Sequence, residues 1–271
     1  MSGTTIWLFG SFFLFLCLNM PIAVALGLSV ALTLLLFDLP IQSLPGTMFS
    51  AMTGFTLLAI PFFFLAGLIM DRAGISRRLV ALAEKLSGHY TGGMAIVAVI
   101  SACFFAAIAG SGPATMAAVG AILIPAMVKA GYRKDMAAGL LATAGGIGII
   151  IPPSIAYIVY GVVAEASIAK LFIAGIVPGL LVGALLALTG YIIAKKENIP
   201  TQPKASLREL LQALLDATWG LLAPVIILGG IYSGIFTPTE SAVVAVFYGL
   251  FVGLFVYKEI TLRDLPKILL E

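Results

Sequence analysis

From Thr91 to Val128 the chain carries no charged side chain, and at its centre this run is interrupted by Gly110-Ser111-Gly112-Pro113. Basic loops flank it on both sides. The arms, Met94–Ala109 and Ala114–Val128, would each extend about 24 Å at the helical rise of ~1.5 Å per residue, short of a hydrocarbon core of ~30 Å. The pattern predicts a helical hairpin that enters a membrane and returns to the side it came from, with its tip inside the bilayer. Irregular backbone at that depth persists only where protein or a wet cavity satisfies its peptide groups, and in secondary transporters such breaks line substrate and ion sites.

A membrane is required because 61% of the 271 residues are hydrophobic and 10% are charged, which excludes a water-soluble globule. The first apolar run, Ile6–Phe37, has no basic segment before it and does not read as a cleaved signal. The formal charge of +3 comes from loop Lys and Arg and reports topology, not a nucleic-acid surface. Cys17 and Cys103 both lie in apolar runs, so neither a disulfide framework nor a zinc site is expected.

Further helical runs are predicted over Thr4–Leu18, Pro21–Phe37, Thr56–Met70, Met136–Ala164, Leu171–Ala194, Thr218–Phe236 and Ser241–Tyr257. Basic clusters at Arg72/Arg77/Arg78/Lys85, Lys129/Arg133/Lys134, Lys195/Lys196/Lys204/Arg208 and Lys258/Arg263/Lys267 mark cytoplasmic loops by the positive-inside rule. Asp38–Thr56 and Glu165–Lys170 are then external, and Met1 begins outside. This assignment alternates consistently only if Met94–Val128 is a hairpin. Pro200–Asp216, with Leu207, Leu210, Leu211, Leu214 and Leu215 on one face, is expected to be an interfacial amphipathic helix.

Asn19-Met20-Pro21 between two apolar runs is echoed by Thr237-Pro238-Thr239 between two more, and Leu44-Pro45 by Leu265-Pro266 at nearly the same interval. The segment after the first helix pair lacks basic residues, whereas the one after the second is basic. An equal pattern with opposite charge is what an inverted-topology repeat shows. The fold class is therefore an all-α integral membrane protein: a polytopic helical bundle with a re-entrant hairpin and a broken helix, comprising one repeat unit and the start of a second. Residues 1–90 would be the scaffold and arm helices of the first repeat, and 91–165 the hairpin and broken helix. Residues 166–217 would be a transmembrane helix and amphipathic linker, and 218–271 the scaffold helices opening the second repeat.

Met136–Ala164 would be about 43 Å long if continuous, overshooting the bilayer unless tilted or broken. The break is written in Thr143-Ala144-Gly145-Gly146-Ile147-Gly148-Ile149-Ile150-Ile151-Pro152-Pro153-Ser154. Glycines loosen the helix, and two prolines remove two donors and bias Ile151 away from helix. Freed carbonyls and the negative end of the preceding half-helix suit a bare cation, while the positive N-terminus beginning near Pro153 suits an anion. The hairpin tip adds the hydroxyls of Ser111 and Thr115 and the glycines Gly110 and Gly112. Neither break holds a carboxylate, so neutral oxygens would hold the cation, which suits Na⁺ better than Ca²⁺ or Mg²⁺. Close packing alone explains the glycines but not Pro152-Pro153 at mid-span.

Ala109-Gly110-Ser111-Gly112-Pro113-Ala114-Thr115, Gly145-Gly146-Ile147-Gly148-Ile149-Ile150-Ile151-Pro152-Pro153-Ser154 and Phe236-Thr237-Pro238-Thr239-Glu240 together resemble the large membrane subunit of tripartite ATP-independent periplasmic (TRAP) transporters of bacteria and archaea. The resemblance runs through essentially the whole chain. It implies an elevator-type, Na⁺-coupled importer in the cytoplasmic (inner) membrane. Its partners would be a small membrane subunit and a periplasmic substrate-binding protein that delivers an organic acid such as a C4-dicarboxylate or sialic acid. The implied Na⁺ site maps onto oxygens of Ser111, Gly112, Thr115, Gly145, Gly148, Ile151 and Pro152, with Ser111, Pro153 and Ser154 facing the substrate. No catalytic residue and no cofactor are implied. The family's second hairpin and second Na⁺ site would fall beyond Glu271, so the chain reads as C-terminally truncated and is not expected to transport alone.

The alternative is a Na⁺/dicarboxylate-type symporter of similar architecture that works without a binding protein. A membrane enzyme would need a positioned base or metal pair, but His89, the one histidine, falls in a cytoplasmic loop. A purely structural protein would have continuous helices. Trp7 and Trp219 read as interface anchors and Glu240 as a helix-capping carboxylate. The hairpin places Lys85 and Lys129 on one face, so cysteines substituted there should both resist an impermeant thiol reagent added to intact cells. Labelling of either from outside would overturn the hairpin.

Overall fold

A computed structural model describes residues 3–270; Met1, which the charge pattern puts outside, and Glu271 are not among the described residues. Among the described residues the regular structure is all helical. Two compact units divide the chain, one ending at Gly54 and the other beginning at Phe55.

The first unit holds α1 (Gly3–Cys17), α2 (Ile22–Leu36) and α3 (Ser43–Met52). Asn19 takes the left-handed conformation (φ 61°) in the tight turn that folds α2 back on α1. Ala25, Ser29 and Thr33, one turn apart, are buried, and the hydroxyls donate back within the helix, Ser29 to Ala25 O and Thr33 to Ser29 O, both at 2.6 Å. Small self-satisfied residues let apolar helices approach without orphaning a polar group. The short helix α3 occupies part of the segment Asp38–Thr56, where no helix was expected.

The second unit begins with a 3₁₀ turn at Phe55–Leu58 leading into α4 (Ala59–Arg72), followed by α5 (Ile75–Ser87). Then come the hairpin, α6 (Gly93–Ala109) and α7 (Gly112–Lys129), and the broken helix, α8 (Lys134–Gly145), α9 (Ile147–Ile150) and α10 (Ile155–Val163). The chain continues through α11 (Ile168–Lys196), α12 (Leu207–Tyr232), α13 (Pro238–Phe251), a π-helical turn at Val252–Val256, and α14 (Leu265–Leu270). Among the described residues five helical stretches are long and apolar enough to cross a membrane, or six when α8–α10, bent by 42°, counts as one span.

Two departures from expectation have clear causes. The basic segment 75–87, expected as loop, is the amphipathic helix α5. Its buried Ile75, Leu79, Leu82 and Ala83 pack inward, and its cations project toward acids elsewhere, Lys85 toward Glu209 at 3.3 Å. Second, Pro200–Asp216 is not a separate interfacial helix. Residues 200–206 are irregular, and the leucines from Leu207 onward belong to the opening turns of α12. A capping box starts that helix, with the Glu209 amide donating to Ser206 Oγ (3.3 Å) and the Ser206 amide to Glu209 Oε2 (2.8 Å). The same device starts α13, where Thr237 and Glu240 cap each other as expected of Glu240. Trp7 is exposed, whereas the Trp219 ring packs tilted against Phe251, at 6.2 Å between centroids, and its carbonyl accepts from Tyr248.

Two apolar clusters form within this unit. One joins α4, α5, α12 and α13; the other joins the hairpin with α8 and α9, buttressed by α11. Glycines set the α11 contact: a Cβ placed on Gly190 would lie 2.5 Å from Ala95 Cβ in α6. Gly190→Val should therefore destabilise the protein by roughly 1–3 kcal/mol through overpacking. Gly229→Ala, at a position with open space around it, should be neutral or slightly stabilising. Thermal unfolding in detergent, followed by circular dichroism, checks the contrast.

Candidate functional site

The hairpin tip turns at Gly110, whose φ of 63° lies in the left-handed region that glycine enters without cost. Ser111 is extended (φ −135°, ψ 125°), and Pro113 sits in the first turn of α7, where its missing N–H costs nothing. On the other side, α9 ends at Ile150, Ile151 is extended, the Pro152-Pro153 bond is cis, and Ser154 is extended before α10. Both interruptions place an extended serine ahead of a new helix.

The two interruptions meet. The amide of Ile155 donates to the carbonyl of Gly110 at 3.0 Å, so the first turn of α10 is hydrogen-bonded directly to the tip. A Cβ on Gly110 would lie 2.5 Å from the Pro153 carbonyl oxygen. One on Gly148 would lie 2.6 Å from Thr115 Oγ1 and 2.9 Å from the Ser111 carbonyl oxygen, so no larger residue fits without parting the two backbones. Gly112 and Gly145 are similarly close, a Cβ on Gly112 falling 3.0 Å from the Gly145 carbonyl oxygen. The structure thus gathers Ser111, Gly112, Thr115, Gly145 and Gly148 at one seam, with Ile151 and Pro152 buried at the end of the break.

Proline chemistry explains the local hydrogen bonding. Without N–H groups, Pro152 and Pro153 cannot serve the carbonyls of Gly148 and Ile149 as a continuous helix would. Ser154 replaces one lost donor: its hydroxyl donates to Ile149 O at 2.5 Å and accepts from the Tyr157 amide at 3.4 Å. Thr115 Oγ1 donates to Ser111 O at 2.8 Å, which also accepts the Thr115 amide at 2.9 Å. The helices α7 and α10 direct their positive ends to this region, and α6 and α9 their negative ends. The seam holds neutral oxygens, and among the described residues no three His, Cys, Asp or Glu side chains converge to hold a metal ion.

Of the three residues expected to face the substrate, Ser111 lines an open cavity of about 600 Å³, whereas Pro153 and Ser154 are buried against the tip and the break. That cavity runs between α4 and the hairpin. Phe64, Gly67 and Leu68 form one wall, the alanines 114, 117, 118 and 121 of α7 the other, and Asp71 and Arg77 stand at the end toward the basic loops. His89 lies beside Tyr90, with ring centroids 4.0 Å apart, away from this site.

Sequence reasoning missed the contribution of α11. A Cβ on Gly175 would meet the Ile150 carbonyl oxygen at 2.5 Å, and one on Gly179 would meet Ile151 Cγ1 at 2.6 Å, so α11 lies directly against the break. The four-residue spacing of Gly175, Gly179 and Gly183 was the available signal.

A family model described as the DctM component of tripartite ATP-independent periplasmic transporters matches residues 9–271. The C4-dicarboxylate TRAP transporter large permease protein DctM of Pseudomonas aeruginosa is 52% identical over 248 residues, covering 91% of this chain and 58% of the relative. The isethionate TRAP transporter permease protein DctMQ of Oleidesulfovibrio alaskensis is 48% identical, covering 94% and 40%. The sialic acid TRAP transporter permease protein SiaT of Haemophilus influenzae is 46% identical, covering 79% and 35%. The chain spans between 35% and 58% of the length of these three relatives.

Replacing Ser154 with alanine removes both the substitute donor and the α10 cap. The variant should lose about 1–2 kcal/mol of stability, read as an earlier midpoint in denaturant titration of the detergent-solubilised protein. Ser154→Thr, which keeps the hydroxyl, should recover most of it.

Proposed function

Because the chain belongs to the DctM component family of tripartite ATP-independent periplasmic transporters, we propose that it provides the hairpin and broken-helix part of a Na⁺-coupled permease that imports an organic acid. Its long apolar helices and bacterial relatives make it a multi-pass protein of the inner membrane. The supporting observation is the direct bond between the two mid-membrane interruptions, Ile155 N to Gly110 O at 3.0 Å. A purely structural bundle has no use for two such interruptions.

In this reading Na⁺ is held at the seam by oxygens drawn from Ser111, Gly112, Thr115, Gly145, Gly148, Ile151 and Pro152. Carbonyls and hydroxyls at about 2.4 Å can replace the water shell of a monovalent ion, and the nearby C-terminal ends of α6 and α9 favour positive charge. The acid lies on the cavity side of the tip, against Ser111 and the positive end of α7. Pro153 and Ser154 support the tip from behind and reach substrate only if the seam opens.

Names of the relatives favour a small organic anion: one is a C4-dicarboxylate permease, another an isethionate permease, another a sialic acid permease. We assign this chain to the same broad class, with a C4-dicarboxylate as the first candidate. A periplasmic binding protein delivers the acid, a small membrane subunit completes the carrier, and the hairpin with the broken helix moves as an elevator. A symporter working without a binding protein has no observation in its favour.

Thr115→Val preserves shape but removes the hydroxyl from the seam. In the full-length permease with its partner proteins, it should raise the Na⁺ concentration for half-maximal uptake about tenfold, the equivalent of one lost hydroxyl contact. Membrane insertion should be unchanged. An unaltered Na⁺ response at normal expression would reduce the seam to a packing contact.

A further inference from the structure

The cavity beneath the hairpin tip and a second, polar cavity of about 500 Å³ have one lining residue in common, Arg77. The second cavity is formed by α5, the opening turns of α12 and Glu259, with Arg78, Lys85, Glu209 and Asp216 on its walls. Arg77 therefore stands where a solute leaving the hairpin cavity would enter the cytoplasmic basin.

Arg77 and Arg78 share one carboxylate, that of Glu259, but they are held very differently. Arg78 bonds Glu259 at 2.6 Å and the Gly74 carbonyl at 3.0 Å, and its guanidinium lies 3.7 Å over the Tyr257 ring. Its side chain is 27% exposed, so these contacts are partly shielded from water. The Arg77 side chain also pairs with Glu259 but is 66% exposed, and an exposed pair contributes little net stability. Glu259 keeps its partner in Arg78 if Arg77 turns away. Packing over Gly74, where a Cβ would lie 2.4 Å from Oε2, also fixes the carboxylate in place.

We propose that Arg77 receives the carboxylate of the transported acid at the inner end of the α4–α7 cavity, exchanging its contact with Glu259 for the substrate anion. The inference rests on the reading of the chain as part of an organic-acid importer. Guanidinium is the suitable group, because it stays charged and binds a carboxylate through two parallel N–H donors. Asp71 lines the same end, with its carboxylate engaged by the Ser76 hydroxyl. This like charge beside the anion keeps the stay short, as an exit requires: attraction sufficient to draw the anion from the tip and too weak to trap it. Apart from the neutral Ser111 the remaining lining is apolar, so Arg77 supplies the one positive charge that attracts the anion.

The test does not depend on which acid is carried. In the full-length permease, with Cys17 and Cys103 replaced, Ala118→Cys puts a thiol on the cavity wall. Inside-out vesicles expose it to two methanethiosulfonates, one carrying a sulfonate and the other a trimethylammonium group. Rates are normalised to those of a free thiol in solution. The anionic reagent should react about fivefold faster relative to the cationic one, a preference expected of one nearby unit charge. Arg77→Gln should abolish the preference, Arg77→Lys should retain most of it, and Glu259→Gln or Asp71→Asn should increase it. An unchanged ratio in Arg77→Gln would overturn the assignment, as would failure of both reagents to reach the thiol from the cytoplasmic side. Loss of Na⁺-driven uptake is a separate measurement, so a wrong transport reading and a wrong role for Arg77 give different results.

Discussion

Peptide groups inside a bilayer have no water to bond, and this one constraint organises the second unit of the chain. Each interruption of a helix at mid-depth exposes donors and acceptors at a cost of several kcal/mol apiece unless something meets them. Here the two interruptions meet each other. The tip's Gly110 carbonyl takes the Ile155 amide, and Ser154 returns a donor to the Ile149 carbonyl left without one by Pro153. Gly148 and Gly110 admit this approach because a side chain at either would strike backbone or the Thr115 hydroxyl. The glycine face of α11 closes the far side, and Gly67 of α4 fits under Ala109, where an added Cβ would be 3.2 Å away.

Chemistry follows from the means of satisfaction. The seam is built from carbonyls and hydroxyls, with helix ends of both polarities converging on it, so it offers partial charges without a fixed net charge. A site of that kind can lose a cation and an anion together without stranding a buried ion. Ion pairs at one corner of the unit tie elements together: Arg78 and Glu259 link the α4–α5 turn to the segment after α13, and Lys85 and Glu209 link α5 to α12. The corner joins helices through charged pairs, whereas the seam joins them through neutral backbone and hydroxyl groups.

Features with a local cause could be read directly from the sequence. Gly110-Ser111-Gly112-Pro113 gave the tip, and Pro152-Pro153 gave the break, because proline and glycine act on their own backbone. The Thr237–Glu240 cap was equally local, and Ser206–Glu209 carries the same S-x-x-E signal, which marks the start of α12 inside the stretch expected to be helical from Pro200. The helix α5 was hidden by its own amphipathicity: Arg77, Arg78 and Lys85 mark a loop when counted as charges and a helix when Ile75, Leu79 and Leu82 are placed on the opposite face. The direction faced by Ser154 was beyond any local rule. Its hydroxyl turns inward because an orphaned carbonyl lies five residues back, which only the folded break reveals.

If the hairpin moves as an elevator, the packing of α4 indicates where slip costs least. Toward α13 the contact is tight: Cβ atoms on Gly249 and Gly253 would fall within 3.2 Å of Ile69, Met70 or Ala73, so these helices interlock and share one apolar cluster. Toward α7 a cavity of about 600 Å³ intervenes, with alanines at 114, 117, 118 and 121 forming a low-relief wall. Separating interlocked surfaces forfeits dispersion and apolar burial, whereas displacing one smooth wall past a cavity forfeits little. In the proposed motion the α7 wall is thus the face that parts from α4 at least cost, the close Gly67–Ala109 contact with α6 is the one that must yield, and α4 remains with α13. Ser111 and Arg77 both line the cavity beside that face, so the surface along which the hairpin would travel is also the one along which the anion would leave.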